Sequence, residues 1–244
     1  MSRFFVSKDN VKNNKIYIDG KEAHHILDVM RLKKGDSVTV FDSSAKEHTG
    51  QIIEAAPKSL VVSISSTRDL NAQRPAVRIT LVQGIPKKEK MDFIVQKAAE
   101  LGASVIVPVI TDRSISRPKD DKGFKVKRWR DIAKEAAKQC CRPDVPQVEN
   151  IKSFKDSMDL IKKNDFGLIA SLVEGARPIR DCIKDHPAKD VILFIGPEGD
   201  FTEREVRSAE GLGCCTISLG KLVLKSDTAA IYALSVLNYE LNNL

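Results

Sequence analysis

The spacing of apolar residues changes at about Val77, and this change limits the fold more than any other feature of the 244 residues. Before it, short runs alternate polar with apolar: Lys15-Ile16-Tyr17-Ile18, Ser37-Val38-Thr39-Val40-Phe41, Gly50-Gln51-Ile52-Ile53 and Leu60-Val61-Val62-Ser63-Ile64. Period-two patterning with Gly20, Gly35, Gly50 and Pro57 between the runs predicts a small antiparallel barrel, each strand giving one face to a core and one to water. One helix, near Glu22 to Arg31, interrupts it. After Val77, apolar runs alternate with helical patterns. Strands are predicted at 78–83, 104–109, 167–171, 191–195 and 215–219, and helices at 87–101, 124–140, 154–163, 203–211 and 227–241. That alternation implies a parallel sheet covered on both faces, with ligands bound outside the carboxyl ends of the strands. The polar stretch 66–75 ends in Pro75, so the expected domains are residues 1–72 and 73–244.

The net charge of +7 is concentrated in the middle of the chain. Between residues 113 and 142 lie Arg113, Arg117, Lys119, Lys122, Lys125, Lys127, Arg128, Arg130, Lys134, Lys138 and Arg142, against four acids. Such a density of cations suits an anionic polymer, since neutralising phosphates releases their counterions. Hydrophobic residues make up 42% of the chain, which argues against disorder. No run approaches the ~18 apolar residues of a membrane span, and the Met1 to Phe5 start lacks a signal peptide's apolar core, so a cytoplasmic protein is expected. Cysteines at 140, 141, 182, 214 and 215 include no Cys-x-x-Cys, and the histidines at 24, 25, 48 and 186 show no ligand spacing. Reduced thiols, acting as small buried hydrophobes, and no metal are expected.

Two loops carry the chemistry. Gly196-Pro197-Glu198-Gly199-Asp200-Phe201-Thr202 follows the strongest strand, and Thr202 with Glu205 forms a capping box that starts a helix. Glycines around a rigid Pro-Glu let backbone N–H and C=O groups face a ligand. Leu219-Gly220-Lys221-Leu222-Val223-Leu224-Lys225-Ser226-Asp227-Thr228 also follows a strand and opens the last helix. Three apolar side chains in a loop suit a pocket for a flat apolar group such as adenine, while Ser226 or Asp227 can cap the helix. The usual nucleotide signatures fail: Gly211-Leu212-Gly213 precedes a strand, and Gly220-Lys221 lacks the remainder of a P-loop.

Taken together, these two loops resemble the RsmE-type 16S ribosomal RNA uridine-N3 methyltransferases of the SPOUT superfamily. Arg3-Phe4-Phe5-Val6, Gln96-Lys97-Ala98-x-Glu100-Leu101-Gly102, and Glu135-Ala136-Ala137-x-Gln139-x-x-Arg142-x-x-Val145-Pro146 add to the likeness, which covers essentially the whole chain. The resemblance implies an α/β fold: a SPOUT-type parallel sheet with a carboxyl-terminal trefoil knot, preceded by a PUA-like β-barrel for RNA. A knot is one of the rare exceptions to unthreaded chains. It also implies a homodimer using S-adenosylmethionine on 16S rRNA or the small ribosomal subunit. By matched position the cofactor would meet Ser171, Leu172, Gly196, Pro197, Glu198, Gly199, Leu219, Gly220, Leu222, Leu224 and Thr228. Arg31, Arg113, Arg117, Arg128 and Arg130 would hold RNA.

Uridine N3 is a nucleophile once its proton leaves, so methyl transfer needs orientation and charge stabilisation rather than a covalent adduct. Arg142 and Arg3 are the candidate catalytic residues, since a guanidinium can fork onto uracil oxygens. The chain departs from the family pattern at Asp200, where glycine is usual, at Leu222 and Lys225, where arginine is usual, and at Asp227, where glutamate is usual. Lys225 and Asp227 keep the sign of the charge, but Leu222 and Asp200 motivate one alternative, a non-catalytic RNA-binding or ribosome-assembly protein on the same scaffold; a methyltransferase for another RNA base is a further reading.

Overall fold

The computed structural model describes residues 3–88, 90–118, 123–184 and 188–242. Lys119, Lys122 and His186 lie outside the described residues. The chain divides into two compact units, one of residues 1–74 with 137–145, the other of 75–136 with 146–244.

The first unit holds β1 (Arg3–Val6), β2 (Val11–Lys12), β3 (Lys15–Asp19), α1 (Gly20–His24), β4 (Ser37–Asp42), β5 (Lys46–Ala56) and β6 (Ser59–Asp69). The sheet runs β1-β4-β5-β6-β3-β2. All neighbours are antiparallel except β1, which lies parallel to β4. The alternation anticipated the inward side chains: Ile16, Ile18, Val38, Val40, Ile52, Leu60 and Val62 form one core with Phe4 and Ile26. Strand β6 continues through the polar residues 66–69 expected to be linker, because Ser66 to Asp69 pair with Lys46 to Thr49. A completed backbone ladder outweighs polar composition there. The helix expected to reach Arg31 passes instead from α1 into a wider turn at His25–Val29, and Arg31 at φ 57° ends it.

The second unit holds β7 (Arg78–Gly84), α2 (Lys90–Glu100), β8 (Ala103–Ile110), α3 (Phe124–Gln139), β9 (Gln147–Val148), β10 (Lys152–Ser153), α4 (Phe154–Ser157), β11 (Phe166–Ala170), β12 (Arg177–Pro178), α5 (Ile179–Ile183), β13 (Asp190–Ile195), α6 (Glu203–Glu210), β14 (Cys214–Ser218) and α7 (Ser226–Leu241). The last turn of α3 is counted with the first unit. Every strand pair is parallel, in the order β10-β8-β7-β13-β11-β14-β12, with β9 on β8. Leu81, Leu168, Leu193 and Ile217 pack on one face with α2, α3, α5 and α7, while Val82, Val107, Ile169 and Phe194 pack on the other with α4 and α6. Burial on both faces explains why these strands read as continuous apolar runs rather than alternation.

The structure corrects the expectation for the cysteines. Cys182 on α5 and Cys215 on β14 are joined as a disulfide, their Cα atoms 6.4 Å apart. They are 33 residues apart in sequence and meet only because α5 packs beside β14, which spacing alone does not reveal. Cys214 points away and is buried, and that burial pushes its thiol up to about 12. Cys140 is half-buried and Cys141 exposed, so neither is a core residue.

Candidate functional site

Three loops in the second unit converge at the carboxyl ends of neighbouring strands. They follow β11, β13 and β14, and close approach is built into their support. A Cβ on Gly84, the last residue of β7, would stand 2.6 Å from Pro197 Cδ, so only glycine lets β7 meet the Gly196-Pro197 turn. Gly220, at φ 112°, turns the third loop back on itself. The resulting cavity is lined by Ala170, Ser171 and Leu172, by Ile195 to Glu198 with Asp200, and by Leu219, Gly220 and Leu222 to Leu224, with Ser226 and Ala229 behind. Leu222 and Val223 are 78% and 75% exposed, which is unusual for aliphatic side chains and leaves them available to a ligand.

The polar groups around the cavity are fixed by a few hydrogen bonds. Glu198 accepts from the Lys87 N–H at 3.1 Å and from Lys90 Nζ at 3.1 Å. Burial alone would raise its carboxyl, but these bonds and its own backbone N–H hold it below the usual glutamate range. Asp200, at φ 59°, reaches back so that Oδ2 accepts from Ser171 Oγ and from the Leu172 N–H, both at 3.0 Å. The fully buried Gln83 donates through Nε2 to Ser226 Oγ at 2.9 Å, and Ser226 in turn donates to the Gly196 carbonyl. Ser226 therefore ties two loops together and does not cap α7, whose N-cap Lys225 makes no side-chain cap bond. The expected capping box of α6 is present in both directions between Thr202 and Glu205.

Of the residues matched to the cofactor loops, nine line the cavity, while Gly199 and Thr228 stand outside its wall. Gly199 instead faces Arg113, whose Nη1 donates to the Gly199 and Phe201 carbonyls. The basic candidates are exposed, and most of them also bond to the protein's own groups. Arg117 donates to the Ser114 and Asp112 carbonyls, Arg128 pairs with Asp92, and Arg130 donates to the Val148 carbonyl and Asn150. Arg31 is exposed and has no ion pair among the described residues.

Arg3 and Arg142 lie in the first unit and are 8% exposed. Arg3 sits 3.0 Å from Glu47, stacks 4.6 Å over Phe41 and donates to the Arg142 carbonyl. Arg142 pairs with Asp144 at 2.9 Å. In the same unit Lys138 pairs with Glu22 at 3.3 Å, with both side chains almost buried. His25 meets the Phe4 ring edge-on, whereas His24 is exposed and bonded to Asp28. Among the described residues no cluster of His, Cys, Asp and Glu could hold a metal, and no helix is long and apolar enough to cross a membrane.

Pattern reading did not identify Gln83 or the cross-loop role of Asp200. A single amide at the end of an otherwise apolar strand was the available signal for Gln83; for Asp200 only the folded loop brings Ser171 within reach.

A parallel sheet with a glycine-rich cavity at its strand ends, joined in one chain to a small barrel, defines a class. The RNA methyltransferase domain family matches residues 73–238, and the RNA methyltransferase PUA domain matches 18–65. Ribosomal RNA small subunit methyltransferase E of Bacillus subtilis (strain 168) is 30% identical, over 98% of this chain and 97% of that protein. The chain belongs to the ribosomal RNA small subunit methyltransferase E family. Two solved structures are similar over nearly the full length. A putative methyltransferase from Legionella pneumophila, in complex with the bound cofactor SAM, is 32% identical with a TM-score of 0.88, covering 98% and 97% of the two chains. A ribosomal RNA small subunit methyltransferase E from Neisseria gonorrhoeae, bound to S-adenosyl methionine, is 28% identical with a TM-score of 0.85, covering 98% of each.

Proposed function

We propose that this protein transfers a methyl group from S-adenosylmethionine to N3 of a uridine in the 16S RNA of the small ribosomal subunit. The observation that carries the reading is the three-loop cavity, in which apolar side chains and open backbone lie at the strand ends where parallel sheets bind ligands. The residues fit an adenosine-bearing cofactor: Leu219, Leu222, Val223 and Leu224 offer an apolar slot, and Gly196, Pro197 and Gly220 leave room for a base and ribose. Ser171, Leu172 and Glu198 complete the wall. When bound, the cofactor supplies an electrophilic methyl group.

The chain's own residues hold and orient. Glu198, fixed by Lys87 and Lys90, braces its loop and is poorly placed to remove a proton, because protonating it would forfeit those bonds. Arg3 and Arg142 would have to exchange their present partners for uracil oxygens to stabilise the developing charge. Residues 1–72 would contribute RNA contacts, with Arg31 exposed for phosphate, and 73–244 the methyl-transfer site, with Arg113, Arg117, Arg128 and Arg130 as further RNA contacts. A homodimer would cover the exposed Tyr232 and Tyr239, seven residues apart on α7. The test is incubation with methyl-labelled cofactor and small subunits lacking the modification, followed by nucleoside mass spectrometry. Labelled 3-methyluridine is expected; label in another base would redirect the assignment, and no cofactor binding beside intact RNA binding would favour an assembly role.

A further inference from the structure

Asp200 lines the cavity and brings a carboxylate to it. It holds φ 59°, a left-handed conformation that glycine adopts freely and that aspartate tolerates better than most residues. One oxygen, Oδ2, is committed to Ser171 Oγ and the Leu172 N–H. The other, Oδ1, lies against Gly196, 3.2 Å from where a Cβ would stand there, and accepts no hydrogen bond among the described residues. Glu198, by contrast, has Lys90 beside it; Asp200 has no ion-pair partner among the described residues. Asp200 also lies at a junction: it lines both the apolar cavity and an adjoining polar one that contains Arg113, Glu174 and Arg207. A donor whose adenosine lay in the first cavity and whose amino-acid end reached the second would bring its sulfur near Asp200.

Resting on the cofactor reading above, we infer that Asp200 is a specificity-determining residue that favours the sulfonium of S-adenosylmethionine over the neutral thioether of S-adenosylhomocysteine. A carboxylate with no ion-pair partner among the described residues attracts the positive sulfur of the substrate and loses that attraction when the methyl group has left. Its consequence is preferential release of product from a site that binds both adenosines through the same apolar wall.

The experiment is calorimetry on the full chain at low salt with both ligands, for wild type, Asp200→Asn and Asp200→Gly. Asparagine keeps an oxygen for Ser171 and Leu172 and accepts the left-handed backbone; glycine removes the side chain and any strain, so one variant serves if the other fails to fold. Expected is a loss of about fivefold or more in S-adenosylmethionine affinity, the size Coulomb's law gives for opposite charges a few ångströms apart in a wet cavity, with S-adenosylhomocysteine changed less than about twofold. Equal losses for both ligands, or an unchanged ratio with tight binding, would overturn the role of Asp200 alone. If wild type bound neither ligand, the cofactor reading would fall with it.

Discussion

The two units use charge in opposite ways. In the first, Arg3 with Glu47 and Lys138 with Glu22 are ion pairs almost shielded from water, and His48 is hydrogen-bonded to the buried Asp42. In the second, the cavity wall is mostly apolar side chain and backbone, and among the described residues its formal charges are those of Glu198 and Asp200. A buried pair is weak evidence of net stabilisation but is costly to break from one side, whereas an exposed apolar wall contributes little to folding and much to binding. The difference teaches that exposed cations in a basic stretch can also be tied to the protein's own groups: Arg113, Arg117, Arg128 and Arg130 each donate to one while remaining exposed.

The contrast breaks or sharpens first at Arg3. Arg3→Ala should lower stability by about 3 kcal/mol in urea denaturation, because it strands Glu47 and uncovers Phe41. An undiminished melt with abolished methyl transfer would instead make Arg3 catalytic. Gly84→Ala should cost about 2 kcal/mol, since the new methyl meets Pro197, and should weaken cofactor binding measured by calorimetry in the same protein. Asp42→Asn should cost about 1 to 2 kcal/mol. Burial raises the Asp42 carboxyl, but bonds from Ser44, His48 and Lys46 outweigh it and leave it lowered. Its folded value lies below the unfolded one, so its contribution is fully present above about pH 4 and disappears as pH falls through the folded value. A urea midpoint for Asp42→Asn that changes less than wild type between pH 5 and 3 would bear this out. Leu222→Ser should leave stability within about 0.5 kcal/mol and reduce cofactor affinity severalfold. Smallest of all, Arg31→Ala should lower the salt slope of RNA binding by about one without moving the melting temperature.

Both sheets were legible because their periodicities differ, and the strand-end rule directed attention to the loops after residues 195 and 218. The short strands at 147–148 and 152–153 and the helix Ile179–Ile183 escaped notice because segments so short carry too little periodicity. Leu222 to Leu224 could be read as cavity wall since apolar side chains in a loop have few other uses. The partners of the arginines could not: Asp92, Val148 and Gly199 are 36, 18 and 86 residues away from the guanidinium groups they meet. Ser226 looked like a cap by position, and only the arrival of Gln83 and Gly196 beside it gives the hydroxyl other work.

The assignment of residues 137–145 to the first unit has a practical consequence. A fragment ending at Arg74 would separate Glu22 from Lys138 and Arg3 from Arg142, leaving one member of each contact in either piece. One cut therefore cannot yield two sound halves; rejoining the stretch through a linker, or expressing both fragments together, is the way to obtain the barrel alone.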